Sequence, residues 1–259
     1  MKDSDKGNIL FPSGRGLVDY TKAQEITKEA YKAEKLFISI LASDFSPEVS
    51  LDYRKDLEAK WLETIPTLDH VKSISLRHKV DQNFFEAVCG MKNLECLTFW
   101  TSTVQNISSI IKLKKLKRLD IDSFSRLLDI SPLQKLLNLE ILTISNSFKI
   151  INYETIGKLT NLKGLAIQGD QIAPRNLRLK SLKPFSKLKV LKHLDLTSTR
   201  VIDDSYDTLL DMESLQRLDL STIIQKPMRE KIKTHPNLTS GSFMDYDWDR
   251  KKLYDGKEW

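Results

Sequence analysis

The sequence predicts an α/β solenoid: a curved horseshoe with a parallel β-sheet on its concave side and a cap at each end. Three observations predict it. A pattern of three aliphatic or phenylalanine residues, spaced L-x-x-L-x-L, recurs seven times in the 259 residues. Its first positions lie 23, 22, 23, 23, 29 and 24 residues apart, a period that belongs to stacked supersecondary units. Within each unit the x-L-x-L segment alternates with period two, as a strand with one buried face does.

Residues 1–70 form the expected N-terminal arm and capping unit. Residues 1–16 carry Pro12 and three glycines and are expected to be a loose arm, and the charged stretch from Gln24 to Lys35 is expected to form a short helix. Leu36 to Leu41 is an apolar strand able to cover the first repeat. Ser50 is placed to cap a helix from Leu51 to Ile65 that offers Leu51, Leu57, Trp61, Leu62 and Ile65 for burial and stops at Pro66. The repeats occupy 71–243, at Val71/Ile74/Leu76, Leu94/Leu97/Phe99, Leu116/Leu119/Ile121, Leu139/Leu142/Ile144, Leu162/Leu165/Ile167, Leu191/Leu194/Leu196 and Leu215/Leu218/Leu220. Each strand must return to the same sheet edge through a crossover. Those crossovers carry inward apolar residues of their own, such as Ile107, Ile111 and Leu113, or Ile130, Leu133 and Leu136. One unit alone cannot offset its ordering entropy, whereas stacked units bury a continuous core. A last, decayed repeat keeps Leu238 and Phe243 but has Gly241 for its middle leucine. Residues 244–259 mix Tyr246, Trp248, Tyr254 and Trp259 with charge, as a C-terminal cap would.

These residues resemble the leucine-rich repeat family. The stretch 129–144 (DISPLQKLLNLEILTI) is similar to the 22–23-residue repeats of bacterial internalin-like proteins, and 199–218 resembles the 24-residue T-x-V-x-D variant. The fold implied is a leucine-rich repeat solenoid, and the function implied is binding of a protein partner on the concave face. The family's ladder asparagine after the strand is absent; Ser102, Phe124, Ser147, Asp170, Thr199 and Ile223 stand in its places. Ser and Thr can hydrogen-bond a neighbouring turn, but Phe124 and Ile223 cannot.

Composition and motifs exclude most chemistry. Nine glycines are roughly half of what average usage of about 7% gives, which argues against phosphate-loop folds. Cys89 and Cys96 make neither a disulfide framework nor a zinc motif. The polar start and the shortness of every apolar run point to a soluble, cytoplasmic chain with no membrane partner. Of the four histidines, His78 and His193 fall on strands five repeats apart, about 24 Å at strand spacing, too far for one site. Asp245-Tyr246-Asp247 opens like a calcium loop but has Arg250 at the turn glycine and Gly256 at the bidentate glutamate. No cofactor, metal site or catalytic residue is expected.

The surface that remains is the outward side of the strands. Counting from the first leucine, position 3 supplies Arg118, His193 and Arg217, and position 5 supplies Asp120, Asp195 and Asp219. Position 7 supplies Arg77, Trp100 and Asp122, with His78 following at one end. An exposed tryptophan among arginines and aspartates has the composition of a binding hot spot. The formal charge of +6 lies elsewhere: residues 171–194 hold no acid but carry Arg175, Arg178, Lys180, Lys183, Lys187, Lys189 and Lys192. That stretch is the alternative, a nucleic-acid-binding stripe, though it holds only Phe185 to stack a base. The expected function is a non-enzymatic interaction module, monomeric alone, whose partner is a protein. Its narrower form is a bacterial cytoplasmic inhibitor or immunity protein that neutralises a toxin or effector.

Overall fold

Eight strands pair in parallel in one sheet, in an order that follows the chain. The structure is a computed structural model, described at residues 10, 34–38, 49–170, 175–220 and 224–245. The sheet runs β1 (Lys35–Ile38), β2 (Ser73–Val80), β3 (Cys96–Ser102), β4 (Arg118–Asp122), β5 (Ile141–Ser145), β6 (Gly164–Gln168), β8 (His193–Leu196), β10 (Arg217–Leu220). Between these, β7 (Leu177–Leu179) and β9 (Thr199–Val201) pair in a second, two-stranded sheet. The first sheet is in frame with the repeat: Leu97 pairs with Leu119, Leu119 with Leu142, and Leu142 with Leu165. The repeated leucines are fully buried in one continuous core, each worth about 1.5–3 kcal/mol relative to exposure.

The crossovers are mostly 3-10 helices: Ser108–Lys112, Ser131–Lys135, Tyr153–Lys158, Lys183–Lys187 and Tyr206–Asp211. Their buried residues explain why. They fall three apart, as Ile107/Ile110/Leu113, Ile130/Leu133/Leu136, Tyr153/Ile156/Leu159 and Leu182/Phe185/Leu188, the period at which 3-10 side chains eclipse. Backbone bonds follow the same step, Ile110 N–H to Ile107 O and Leu113 N–H to Ile110 O, both at 3.0 Å. Ile110 is therefore the inward residue, and Ile111, expected inside, is exposed. The first crossover spaces Phe84, Phe85 and Val88 otherwise and forms an α-helix.

The N-terminal side holds α1 (Leu51–Thr64), whose N-cap Ser50 accepts a hydrogen bond from Tyr53 N–H at 3.1 Å. Leu57 and Trp61 face the core and Ile65 follows in a 3-10 turn containing Pro66; Leu51 is exposed, contrary to expectation. Then comes α2 (Gln82–Val88), capped by Asp81 through Phe84 N–H. At the other end, α3 (Lys226–Lys233) and α4 (Ser242–Asp245) close the last strands. The expected arm (apart from Leu10), the helix at 24–35 up to residue 33, the strand residues after 38 and the cap from 246 onward lie outside the described residues.

The missing asparagine after the strand is replaced by two devices. Ser102 Oγ donates to Val80 O and accepts from Val104 N–H, while Ser147 Oγ accepts from Phe124 N–H. Phe124 then turns its ring inward, edge-on to Phe99 at 5.3 Å, and so fills the core where a polar ladder residue would satisfy the turn. An asparagine ladder does exist, before the strands: Asn93, Asn138, Asn161 and Asn237 each donate to a carbonyl 24 residues upstream.

Two glycines are set by contact. A Cβ on Gly169 would collide with the backbone of Ser198, Arg175 and Leu177, where the 29-residue interval folds back to form β7. Gly241, with φ +104°, abuts the Leu218 backbone, which accounts for glycine at the leucine place of the decayed repeat.

Candidate functional site

Among the described residues, strands β2 to β5 carry the more open part of the concave face. Trp100 is 49% exposed. Its indole N–H donates to Ser75 Oγ at 3.3 Å, and the Arg77 guanidinium carbon lies 5.8 Å from the ring centroid. Both contacts reach across from β2 and fix the ring's orientation. Arg77 is itself exposed, and Arg118 and Asp122 are half-buried.

The other expected residues are placed differently. Asp120 is buried, held by Arg118 through Nε at 2.8 Å and Nη2 at 3.0 Å and by the Thr98 hydroxyl at 3.0 Å. Arg118 Nη2 also donates to Leu10 O at 2.6 Å, so Leu10 touches this face. His78 turns inward, because the β2–β3 register shifts between Leu76 and Lys79. Its ring meets Phe84 edge-on at 4.5 Å. Burial pushes His78 down to about 4 and outweighs the opposing pull of the Ile38 backbone and the Asp81 charge.

At the C-terminal end, His193, Asp195, Arg217 and Asp219 are all buried, and they bury one another. Asp219 accepts from His193 Nε2 at 2.7 Å, Arg217 Nε at 2.7 Å and Nη2 at 3.1 Å, and Ser242 N–H at 2.7 Å. Burial alone would raise its carboxyl, but the bonds from His193 and Arg217 prevail and hold it well below the usual range. Asp195, which accepts from Gln168 Nε2 and Thr197 N–H, is raised by burial.

His193, Asp195 and Asp219 place ligand atoms within 4.8 Å of one another, the one such group among the described residues. The donor set does not suit a metal. Asp219 already accepts four hydrogen bonds, two of them from the cationic Arg217, which opposes a second cation. The group is a closed hydrogen-bond network that ties β8, β10 and α4 together.

Reading outward positions by column missed two features. Ser145, Gln168 and Asp195 form a chain across three strands, Ser145 Oγ to Gln168 Oε1 at 3.1 Å and Gln168 Nε2 to Asp195 Oδ2 at 2.7 Å. Position 2 alternates in charge: Lys72, Glu95, Lys117, Glu140 and Lys163, beginning from Glu34 before β1. Lys117 pairs with Glu95 at 2.7 Å and Lys163 with Glu140 at 2.9 Å along a groove of about 500 Å³. Reading that column in the sequence would have found it.

A parallel sheet built one strand per repeat, with short crossovers and apolar ladders, defines a repeat solenoid. The family model for the leucine-rich repeat region matches residues 49–242. The chain belongs to the leucine-rich repeat family. Among solved structures it is similar to internalin C2 of Listeria monocytogenes, at 21% identity and a TM-score of 0.52, over 69% of this chain and 74% of that one. It is also similar to a leucine-rich repeat protein of Leptospira interrogans, at 22% identity and a TM-score of 0.52, over 64% of this chain and 42% of that one. Both likenesses concern the fold. No curated protein matches. Among the described residues, no helix is long and apolar enough to cross a membrane.

Proposed function

We propose that this protein is a non-enzymatic interaction module that holds a protein partner against the Trp100 end of its concave face. Leucine-rich repeat proteins generally mediate protein–protein interaction. The observation that carries the reading here is Trp100 itself, a large half-exposed ring fixed in place on a sheet whose other described outward residues at positions 3, 5 and 7, Arg77 apart, are buried or half-buried. A pre-oriented aromatic loses little entropy when a partner covers it. The narrower form of the reading is an inhibitor or immunity protein that blocks a toxin.

Affinity capture by the purified protein, with the captured protein identified and its binding then measured, tests the reading. Trp100→Ala is expected to weaken the partner at least tenfold, and Arg77→Glu to weaken it less. Asp120→Arg is a poor probe, since the buried Asp120 neutralises half-buried Arg118 and its reversal would disturb the sheet. Retention of full affinity by Trp100→Ala overturns the site. Capture of nucleic acid that falls steeply with salt, and is lost in Lys183→Glu, Lys187→Glu and Lys189→Glu, would favour the basic stretch instead.

A further inference from the structure

Beside Trp100, the sheet holds a small pocket of about 120 Å³ lined by Thr98, Trp100, Asp120, Asp122, Thr143 and Ser145, with Phe99 and Ile121. Small-molecule sites run to about 300–1,000 Å³, so this one has room for the head of a single side chain. Two features of its lining are uncompensated. Asp122 accepts from the Ser123 hydroxyl at 2.9 Å and from Asn146 Nδ2 at 3.0 Å, both through Oδ1, and has no ion-pair partner among the described residues. Thr143 is 95% buried by its 5% exposure, and its hydroxyl has no hydrogen-bond partner although it lines the pocket. The neighbouring acid is different in kind: Asp120 is neutralised by Arg118.

We infer that this pocket receives one basic side chain, an arginine or lysine, of the partner protein. The chemistry is complementary on each wall. Trp100, whose ring also meets the Arg77 guanidinium carbon at 5.8 Å, offers an aromatic wall of the kind that binds cations, and a cation here would lie beside a carboxylate in a partly desolvated site. The Thr143 hydroxyl accepts an N–H that it otherwise lacks, which removes an unsatisfied buried group. Strand spacing of about 4.8 Å sets Trp100, Asp122 and Ser145 side by side on β3, β4 and β5, so a head group over Asp122 has Trp100 on one side and Ser145 on the other. An acidic or uncharged head would leave the Asp122 charge unpaired. Leu10, which meets Arg118, does not line the pocket.

The inference rests on the concave-face reading, and its test needs no partner. Blocked tripeptides Gly-Xaa-Gly, with arginine, lysine, citrulline or glutamate at Xaa, are titrated into the full chain. The indole N–H resonance of Trp100, assigned through Trp100→Phe, is followed by NMR. Arginine and lysine peptides are expected to give a saturable shift, and citrulline and glutamate peptides at least tenfold weaker binding. Asp122→Asn, which keeps the Ser123 and Asn146 contacts possible, is expected to remove that preference. Thr143→Val is expected to weaken the arginine peptide several-fold with the fold intact. Equal response to citrulline and arginine, no response to either basic peptide, or an unchanged preference in Asp122→Asn overturns the pocket assignment. None of these outcomes touches the broader reading, which stands or falls on partner capture by Trp100→Ala.

Discussion

His78 couples the stability of the N-terminal repeats to pH. Its folded-state value is lowered from 6.5 to about 4, so the unfolded chain binds the proton more readily. Stability from this residue is fully present above about pH 6.5, and falls as pH drops toward 4 because unfolding then takes up a proton. The shift corresponds to about 3 kcal/mol at most. Denaturant unfolding at pH 4.5 and pH 7 is expected to show the loss, and His78→Leu is expected to flatten it; an equally steep profile in the variant would refute the assignment. At this scale the sequence was partly legible. Counting from the leucines found the tryptophan and the outward aspartates. It did not show which of them pair, because pairing depends on cross-strand register: His193 lies opposite Arg217, and Asp195 opposite Asp219. Their neighbours, not their own positions, bury them.

Among the elements, strands and α1 were legible, since leucine spacing marks the former and Ser50 and Pro66 bracket the latter. The crossover helix type was written in the sequence as a spacing of three, plain in Ile130, Leu133 and Leu136 but hidden in the preceding crossover, where Ile111 stands beside Ile110 and is the more easily read as the inward residue. The purpose of the 29-residue interval was not legible. Its extra residues make β7, which pairs with β9 over Leu177–Thr199, Arg178–Arg200 and Leu179–Val201. No local pattern announces that pairing, because both strands are only three residues long. Gly169 is the point where this insertion folds against the main stack. Gly169→Ala is expected to destabilise the protein by roughly 1–3 kcal/mol, as overpacking does. Thermal unfolding reads this, and hydrogen exchange should place the loosening at Leu177 and Val201 first; unchanged melting would show that the backbone there gives way freely.

For the whole molecule, the position-2 column imposes a parity on the stack. Exposed pairs such as Lys117–Glu95 are individually weak because water and salt screen them, but their alternation makes the count of repeats matter. Removing residues 116–138, one repeat, would bring Glu95 beside Glu140. Removing 116–161, two repeats, would bring Glu95 beside Lys163. The single deletion is expected to gain stability with added salt relative to the full chain, and the double deletion is not, in denaturant midpoints measured from low to high ionic strength. An equal salt response in both deletions would show that the ladder sets nothing.

The contact between Arg118 and Leu10 gives folding an order in time. Bonds between adjacent turns join residues some 22–27 apart, as in Thr98 to Asp120 and Gln168 to Asp195, whereas Leu10 and Arg118 are separated by 108. Closing the longer loop costs about 1 kcal/mol more. At synthesis rates of about 5–20 residues per second, Leu10 emerges roughly 5–20 s before the strand that carries its donor, Arg118, exists. Leu10 therefore waits for β4, and its contact with Arg118 forms no earlier than the fourth strand of the eight-stranded sheet.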